Sequence, residues 1–168
     1  SDVLRHAVGG LIAAMPESMA IFAPHLNSYR RFVAMSHAPS AVAWGYENRT
    51  VAVRIPGGPD AARRIEHRVS GADANPYLVL ATVLGAALHG MDQKMEPPAP
   101  TNGDGYDPKL PQLPKIWEVA VDAFEHGNLI AEIFDDVLIT SFAKAKRQEM
   151  AKFAAIVGEF ERQTYWDC

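Results

Sequence analysis

Cysteine is nearly absent from this 168-residue chain. Its one thiol, Cys168, is the last residue and cannot close an internal disulfide, so a reducing, cytoplasmic setting is expected. Lysine does not occur before Lys94, which leaves arginine as the only strong base in the first half. Long apolar runs are missing too. The longest, Tyr77 to Leu88, falls short of the roughly 20 helical residues that cross a bilayer, and no membrane partner is expected. Arg5 followed by Ala7 to Met15 imitates a signal peptide only faintly. With so small a charged region, and with Ser1 in place of a methionine, it reads as an internal helix of a truncated chain. There is no P-loop, no GxGxxG and no G-x-S-x-G, so phosphate binding by a glycine loop is not indicated. None of the six histidines shows the i,i+4 spacing with an acid that marks a zinc site. A net charge of −4 argues against a nucleic-acid partner.

What is present is ordinary in amount and unusual in placement. The length suits one domain, able to bury about 70% of the surface its unfolded form exposes. From Asn27 to Arg68 the bases are Arg30, Arg31, Arg49, Arg54, Arg63, Arg64 and Arg68, against the acids Glu47, Asp60 and Glu66. Guanidinium groups hold carboxylates and phosphates in planar two-point contact, which an ammonium cannot do. The plainer alternative is a set of surface arginines paired with acids from elsewhere.

The segment Val3 to Met15 predicts a helix stopped by Pro16, followed by a loop at Pro24–Ser28. Thr50 to Ile55 alternates, placing Val51, Val53 and Ile55 on one strand face. Gly57-Gly58-Pro59-Asp60 marks a turn. A second alternating strand runs from Arg64 to Val69, with Ile65, His67 and Val69 inward. Asn75-Pro76 predicts an N-cap and first helical turn. The helix that follows, to about Gln93, is apolar nearly all round and reads as a buried spine. Glu96 to Pro114 holds six prolines and two glycines and reads as a loop with extended segments. Helices are then predicted at Ile116–His126, near Ile130–Phe134, and from Val137 to Phe160. Trp117, Phe160, Tyr165 and Trp166 read as packing residues. Together these elements give an α+β class: part of an antiparallel sheet, backed by helices, with a helical C-terminal half.

The alternation places Arg64, Glu66 and Arg68 side by side on the outward strand face. An acid between two guanidiniums can ligate Mg²⁺ while the bases neutralise oxygens that gain charge in phosphoryl transfer. The bland alternative is a solvated charge ladder worth a few tenths of a kcal/mol.

These residues lie within a longer pattern. Asn27-Ser28-Tyr29-Arg30-Arg31, Ala38-Pro39, Trp44-Gly45-Tyr46-Glu47-Asn48-Arg49-Thr50, Val53-Arg54-Ile55-Pro56, Arg63-Arg64-Ile65-Glu66-His67-Arg68 and Gly71-Ala72-Asp73-Ala74-Asn75-Pro76-Tyr77-Leu78 follow one another in order. The pattern resembles the glutamine synthetase family. Its wording is nearer to the γ-glutamyl-polyamine synthetase branch than to the ammonia-using branch, and a weaker match extends over the rest of the chain.

The resemblance implies an ATP-dependent ligase that joins the γ-carboxylate of glutamate to an amine. It implies ATP and Mg²⁺ (or Mn²⁺) as cofactors and a homo-oligomeric ring with active sites between subunits. Residues 1–168 would be the C-terminal portion of the catalytic domain, without the N-terminal β domain and the first catalytic strands. Arg31 would contact glutamate, Arg49 the transferring phosphoryl group, and Arg54 and Arg64 the ATP phosphates. Glu66 would ligate a divalent metal, and Arg68 would bind the γ-carboxylate or its phosphorylated form, making Arg49 and Arg68 the catalytic pair. With one metal acid present, the chain by itself would be inactive.

Two departures matter. His37 stands where ammonia-using members carry a flap glutamate just before Ala-Pro, and an imidazole offers no fixed negative charge for ammonium. An organic amine is therefore expected. A lysine found near the nucleotide in some members falls at Asp60 or Ala61 here. Tyr106 lies roughly where some members carry a modifiable tyrosine, in different surroundings, and reads as a loop aromatic. The alternatives are glutamine synthetase proper and an inactive remnant or ligand-binding module.

Overall fold

The computed structural model describes residues 1–33 and 36–166; Cys168 lies outside them. Helix α1 (Asp2–Phe22) begins where the Ser1 side chain accepts the Leu4 amide, and it runs through Pro16 instead of stopping there. An internal proline removes a helical hydrogen bond at a cost of about 3 kcal/mol or more. Beyond it, Met19, Ile21 and Phe22 are fully buried, each worth roughly 1.5–3 kcal/mol, which outweighs that cost.

The sheet has three short strands in the order β1 (Trp44–Tyr46), β2 (Val53–Ile55), β3 (Glu66–His67). β2 and β3 are antiparallel, as the sequence led us to expect, but β1 pairs with β2 in parallel. The sheet is therefore mixed. Both predicted strands are shortened. The amides of Ala52 and Val53 both donate to the Ala43 carbonyl, at 3.0 and 3.1 Å, so regular alternation starts only at Val53. Ala52, predicted outward, is consequently buried like Val51 and Val53.

Helix α2 (Pro76–Asp92) is capped by the Asn75 side chain, which accepts from the Tyr77 and Leu78 amides. It crosses α1 where Gly10 and Gly90 meet backbone to backbone. It is not buried all round. Thr82, Ala86 and Gly90 are enclosed, whereas Tyr77, Leu80, Leu84 and Leu88 form an exposed stripe. Periodicity cannot distinguish an apolar face that is covered from one that is not.

The proline-rich stretch after α2 is irregular, as predicted, and straps β1. Thr101 N donates to Trp44 O at 2.8 Å, Trp44 Nε1 to Pro98 O at 2.7 Å, and Leu113 N to Ser40 O at 3.0 Å. Tyr106 sits in a turn of this stretch, its amide on Asp104 Oδ1. Four helices follow: α3 (Trp117–Glu125), α4 (Asn128–Ile133), α5 (Asp136–Ala154) and α6 (Glu159–Tyr165). The last two replace the single helix expected to Phe160. Gly158 caps α6, its amide held by the Glu161 carboxylate at 2.9 Å, and so separates the two. α4 has no side-chain cap of its own. Glu17 of α1 supplies one, accepting the Leu129 and Ile130 amides at 2.9 and 3.1 Å. Trp117 packs as predicted, edge-on to Phe153, whereas Phe160, Tyr165 and Trp166 are exposed. Among the described residues no helix is long and apolar enough to cross a membrane.

Candidate functional site

Antiparallel pairing places Arg54 of β2 opposite Glu66 of β3. Arg54 Nη1 donates to Glu66 Oε2 at 3.0 Å, and Arg54 Nη2 to Glu47 Oε2 at 3.0 Å. The other Glu66 oxygen lies 3.3 Å from Arg68 Nε. The result is a row of alternating charge, Glu47–Arg54–Glu66–Arg68. The Arg54 and Arg68 side chains are only 11% and 16% exposed, whereas their acid partners Glu66 and Glu47 are 36% and 60% exposed.

This row corrects the sequence reading in one respect. Glu66 does lie between two guanidiniums, but the first belongs to Arg54 across the sheet and not to Arg64 along the strand. β3 begins only at Glu66, so the two-residue repeat does not reach Arg64. The Arg64 side chain turns back onto the Ala62 carbonyl at 3.2 Å and is exposed.

Arg68 also gathers three backbone carbonyls from two further segments. Nη1 donates to the carbonyls of Arg49 and of Val51, the latter at 3.2 Å, and Nη2 to that of His37 at 3.3 Å. The Arg49 backbone is thereby fixed beside the row while its side chain remains exposed. His37 is held in a left-handed conformation with φ 63, and its imidazole is exposed. A non-glycine residue adopts such backbone at a cost, and such residues concentrate at functional sites.

Arg31 reaches the same region from the 3₁₀ turn Leu26–Arg31, donating to Val69 O and lying 4.6 Å from the Phe32 ring centroid. Burial pulls its pKa down and nearby Asp73 acts against that shift. Asp73 is fixed in turn by the Ser28 hydroxyl at 2.5 Å. On the opposite strand face, His67 packs against Phe22 with ring centroids 4.5 Å apart, inward as predicted. Its Nε2 is buried without a partner among the described residues, and burial lowers its pKa to about 4, so the ring is neutral near pH 7.

The structure thus brings Arg54, Glu66 and Arg68 together with the Arg49 backbone, sets Arg31 on the Val69 carbonyl next in the chain to Arg68, and leaves Arg64 at the periphery. Glu47 is the member the sequence reading missed. Its only signal was position, directly after a strand that pairs with the one bearing Arg54. For a divalent metal the fit is partial. Among the described residues no three His, Cys, Asp or Glu side chains converge, and both Glu66 oxygens face guanidiniums. Glu66 can serve as one ligand of a set completed from outside this chain.

The profile of the glutamine synthetase catalytic domain matches residues 1–165. The chain is 38% identical over 161 residues to γ-glutamylethanolamide synthetase of Streptomyces coelicolor, a match covering 96% of this chain and 35% of that protein. To γ-glutamylputrescine synthetase of Escherichia coli K12 it is 35% identical over 161 residues, covering 96% and 34%. A structure of GmaS in complex with ADP superimposes with a TM-score of 0.85 and 33% identity, covering 100% of this chain and 40% of that one. The chain therefore spans between 34% and 40% of the length of these relatives. A match across nearly all its residues, together with relatives at this level of identity, shows that the chain belongs to the glutamine synthetase family and carries sequence of its catalytic domain.

Proposed function

We propose that the protein is an ATP-dependent ligase that joins the γ-carboxylate of glutamate to an organic amine, and that residues 1–168 are the C-terminal portion of its catalytic domain. The observation that carries this reading is the Glu66 carboxylate held between Arg54 and Arg68 at the sheet. Two named relatives act on organic amines, and one structural neighbour binds ADP. A cytoplasmic homo-oligomer, with sites completed by a neighbouring subunit, accords with a chain that supplies only part of a ligand set.

The reaction has two steps. A γ-carboxylate oxygen of glutamate takes the terminal phosphoryl group of ATP, releasing ADP. The amine nitrogen then attacks the acyl carbon, phosphate leaves, and the nitrogen loses a proton. Arg31 orients glutamate, and Arg68 holds the γ-carboxylate and then its phosphorylated form. Arg49 meets the phosphoryl group in transfer, while Arg54 and Arg64 neutralise the ATP phosphates. Fixed cations placed where charge develops lower such barriers without reorganising during reaction. Glu66 would hold Mg²⁺ or Mn²⁺, which supplies further neutralisation of phosphate charge.

His37 favours an organic amine. Its backbone is pinned beside Arg68 and its imidazole is exposed, but it presents no permanent negative charge to concentrate ammonium. An alkyl amine gains instead from its chain, at about 0.8 kcal/mol per buried methylene. On the full-length protein, kcat/KM compared among ammonia, ethanolamine, putrescine and a longer polyamine is expected to be highest for one of the organic amines. Ammonia as the best substrate would overturn this choice in favour of glutamine synthetase proper. In the same assay the 168-residue chain alone is expected to release no ADP, having a single metal acid; clear turnover would show that the site needs nothing from outside.

A further inference from the structure

Glu47 lies outside the set of ligand-contacting residues, yet its carboxylate joins two segments. One oxygen accepts the Gly57 amide, and the other accepts Arg54 Nη2 at 3.0 Å. These bonds, the Gly57 amide foremost and Arg54 next, hold the carboxyl below the usual carboxylate range. The residue pays a conformational cost to be there: its φ is 53, left-handed backbone that glycine, not glutamate, adopts readily. It also continues the ladder, its amide donating to Ile55 O at 3.1 Å.

The consequence falls on Arg54. Each terminal nitrogen of this guanidinium serves a different carboxylate, Nη2 Glu47 and Nη1 Glu66, while Nε is buried without a partner among the described residues. An arginine facing a single carboxylate prefers the two-point fork, the strongest arrangement available to the pair. Without Glu47, Arg54 would turn its freed N–H groups onto Glu66. Arg54 and Glu66 would then satisfy each other and withdraw together from any bound phosphate.

We propose that Glu47 is a positioning residue: it holds Arg54 in a one-oxygen contact with Glu66 and so keeps the guanidinium available to the ATP phosphates. This inference rests on the assignment of Arg54 to ATP given above. A purely architectural role, bracing the Gly57 turn, is the competing account, and substitutions at Glu47 separate the two. Glu47→Gln keeps an oxygen for the Gly57 amide but turns an amide NH₂ toward Arg54, losing the second contact and not the first. Glu47→Gly relieves the backbone and removes both.

The test measures ADP binding by calorimetry in the presence of Mg²⁺, together with kcat, KM for ATP and Tm, on full-length wild type and both variants. In Glu47→Gln the ADP Kd and the KM for ATP are expected to rise about tenfold, as for loss of one charge-assisted contact. Its Tm and kcat should stay near the wild-type values. Glu47→Gly should weaken ADP to the same degree and lower Tm as well. Wild-type ADP affinity in Glu47→Gln, beside a wild type that binds ADP and forms the amide, overturns the positioning role alone. A wild type that binds no ADP removes both the ATP assignment and this inference.

Discussion

Glu66→Ala in the full-length protein is expected to lower kcat for γ-glutamyl amide formation by roughly a hundredfold or more, the scale seen when one preorganised electrostatic group is removed from a transition state. The acid is the meeting point of the row. Its loss removes the proposed metal ligand and the carboxylate that Arg54 and Arg68 share, while both guanidiniums, 11% and 16% exposed, keep their other partners. His67→Ala is the internal control, one residue away on the same strand. Its ring faces Phe22 and not the row, so the variant should unfold at lower temperature while kcat changes little. Equal losses of kcat in the two variants would mean that the strand faces, or the role of Glu66, have been assigned wrongly.

Gly90→Ala and Gly10→Ala are expected to be among the most damaging single substitutions outside the site. A Cβ added at Gly10 would meet the Ala86 carbonyl oxygen, with Gly90 Cα at 2.7 Å. One added at Gly90 would meet the His6 carbonyl oxygen, with Gly10 N at 2.6 Å. Both obstacles are backbone, which cannot swing aside as the end of a side chain can. Alanine gains up to about 1 kcal/mol of helix propensity over glycine, but forcing α1 and α2 apart loosens the seam on which the core is built. Overpacking alone costs about 1–3 kcal/mol where side chains can still adjust, so a loss of at least about 3 kcal/mol is expected. Denaturation curves would check this against Gly103→Ala, where a new Cβ meets nothing within 4 Å among the described residues. Unfolding of Gly90→Ala at the wild-type temperature would contradict the close crossing.

The α+β class, the Asn75 cap and the inward His67 were legible because each follows from local chemistry or from a two-residue repeat. The motifs that carry the family resemblance also contain Glu66, Arg54 and Arg68, which the structure places in one row. What could not be read depended on partners distant in sequence. Pro16 looked like a stop because its cost is local, while the burial of Met19, Ile21 and Phe22 that overrides it is tertiary. β1 is three residues long, too short to alternate visibly, and so the parallel pairing went unseen. Arg64 was drawn into the row by extending a strand two residues before its pairing begins, and Arg54 was overlooked as the neighbour of Glu66 because register across a sheet is not written in either strand alone. The exposed stripe on α2 shows the same limit: an apolar face can be read from sequence, but not what covers it.

The Glu17 contact to the Leu129 and Ile130 amides bears on the order in which the protein assembles. Donor and acceptor are separated by 112 and 113 positions, and the helix they begin has only six residues, too few to persist alone in water. α4 is therefore not an early local nucleus. Its first amides are satisfied only where α1, more than a hundred positions earlier in the sequence, packs against it, so its stability is set by a long-range contact and not by its own residues.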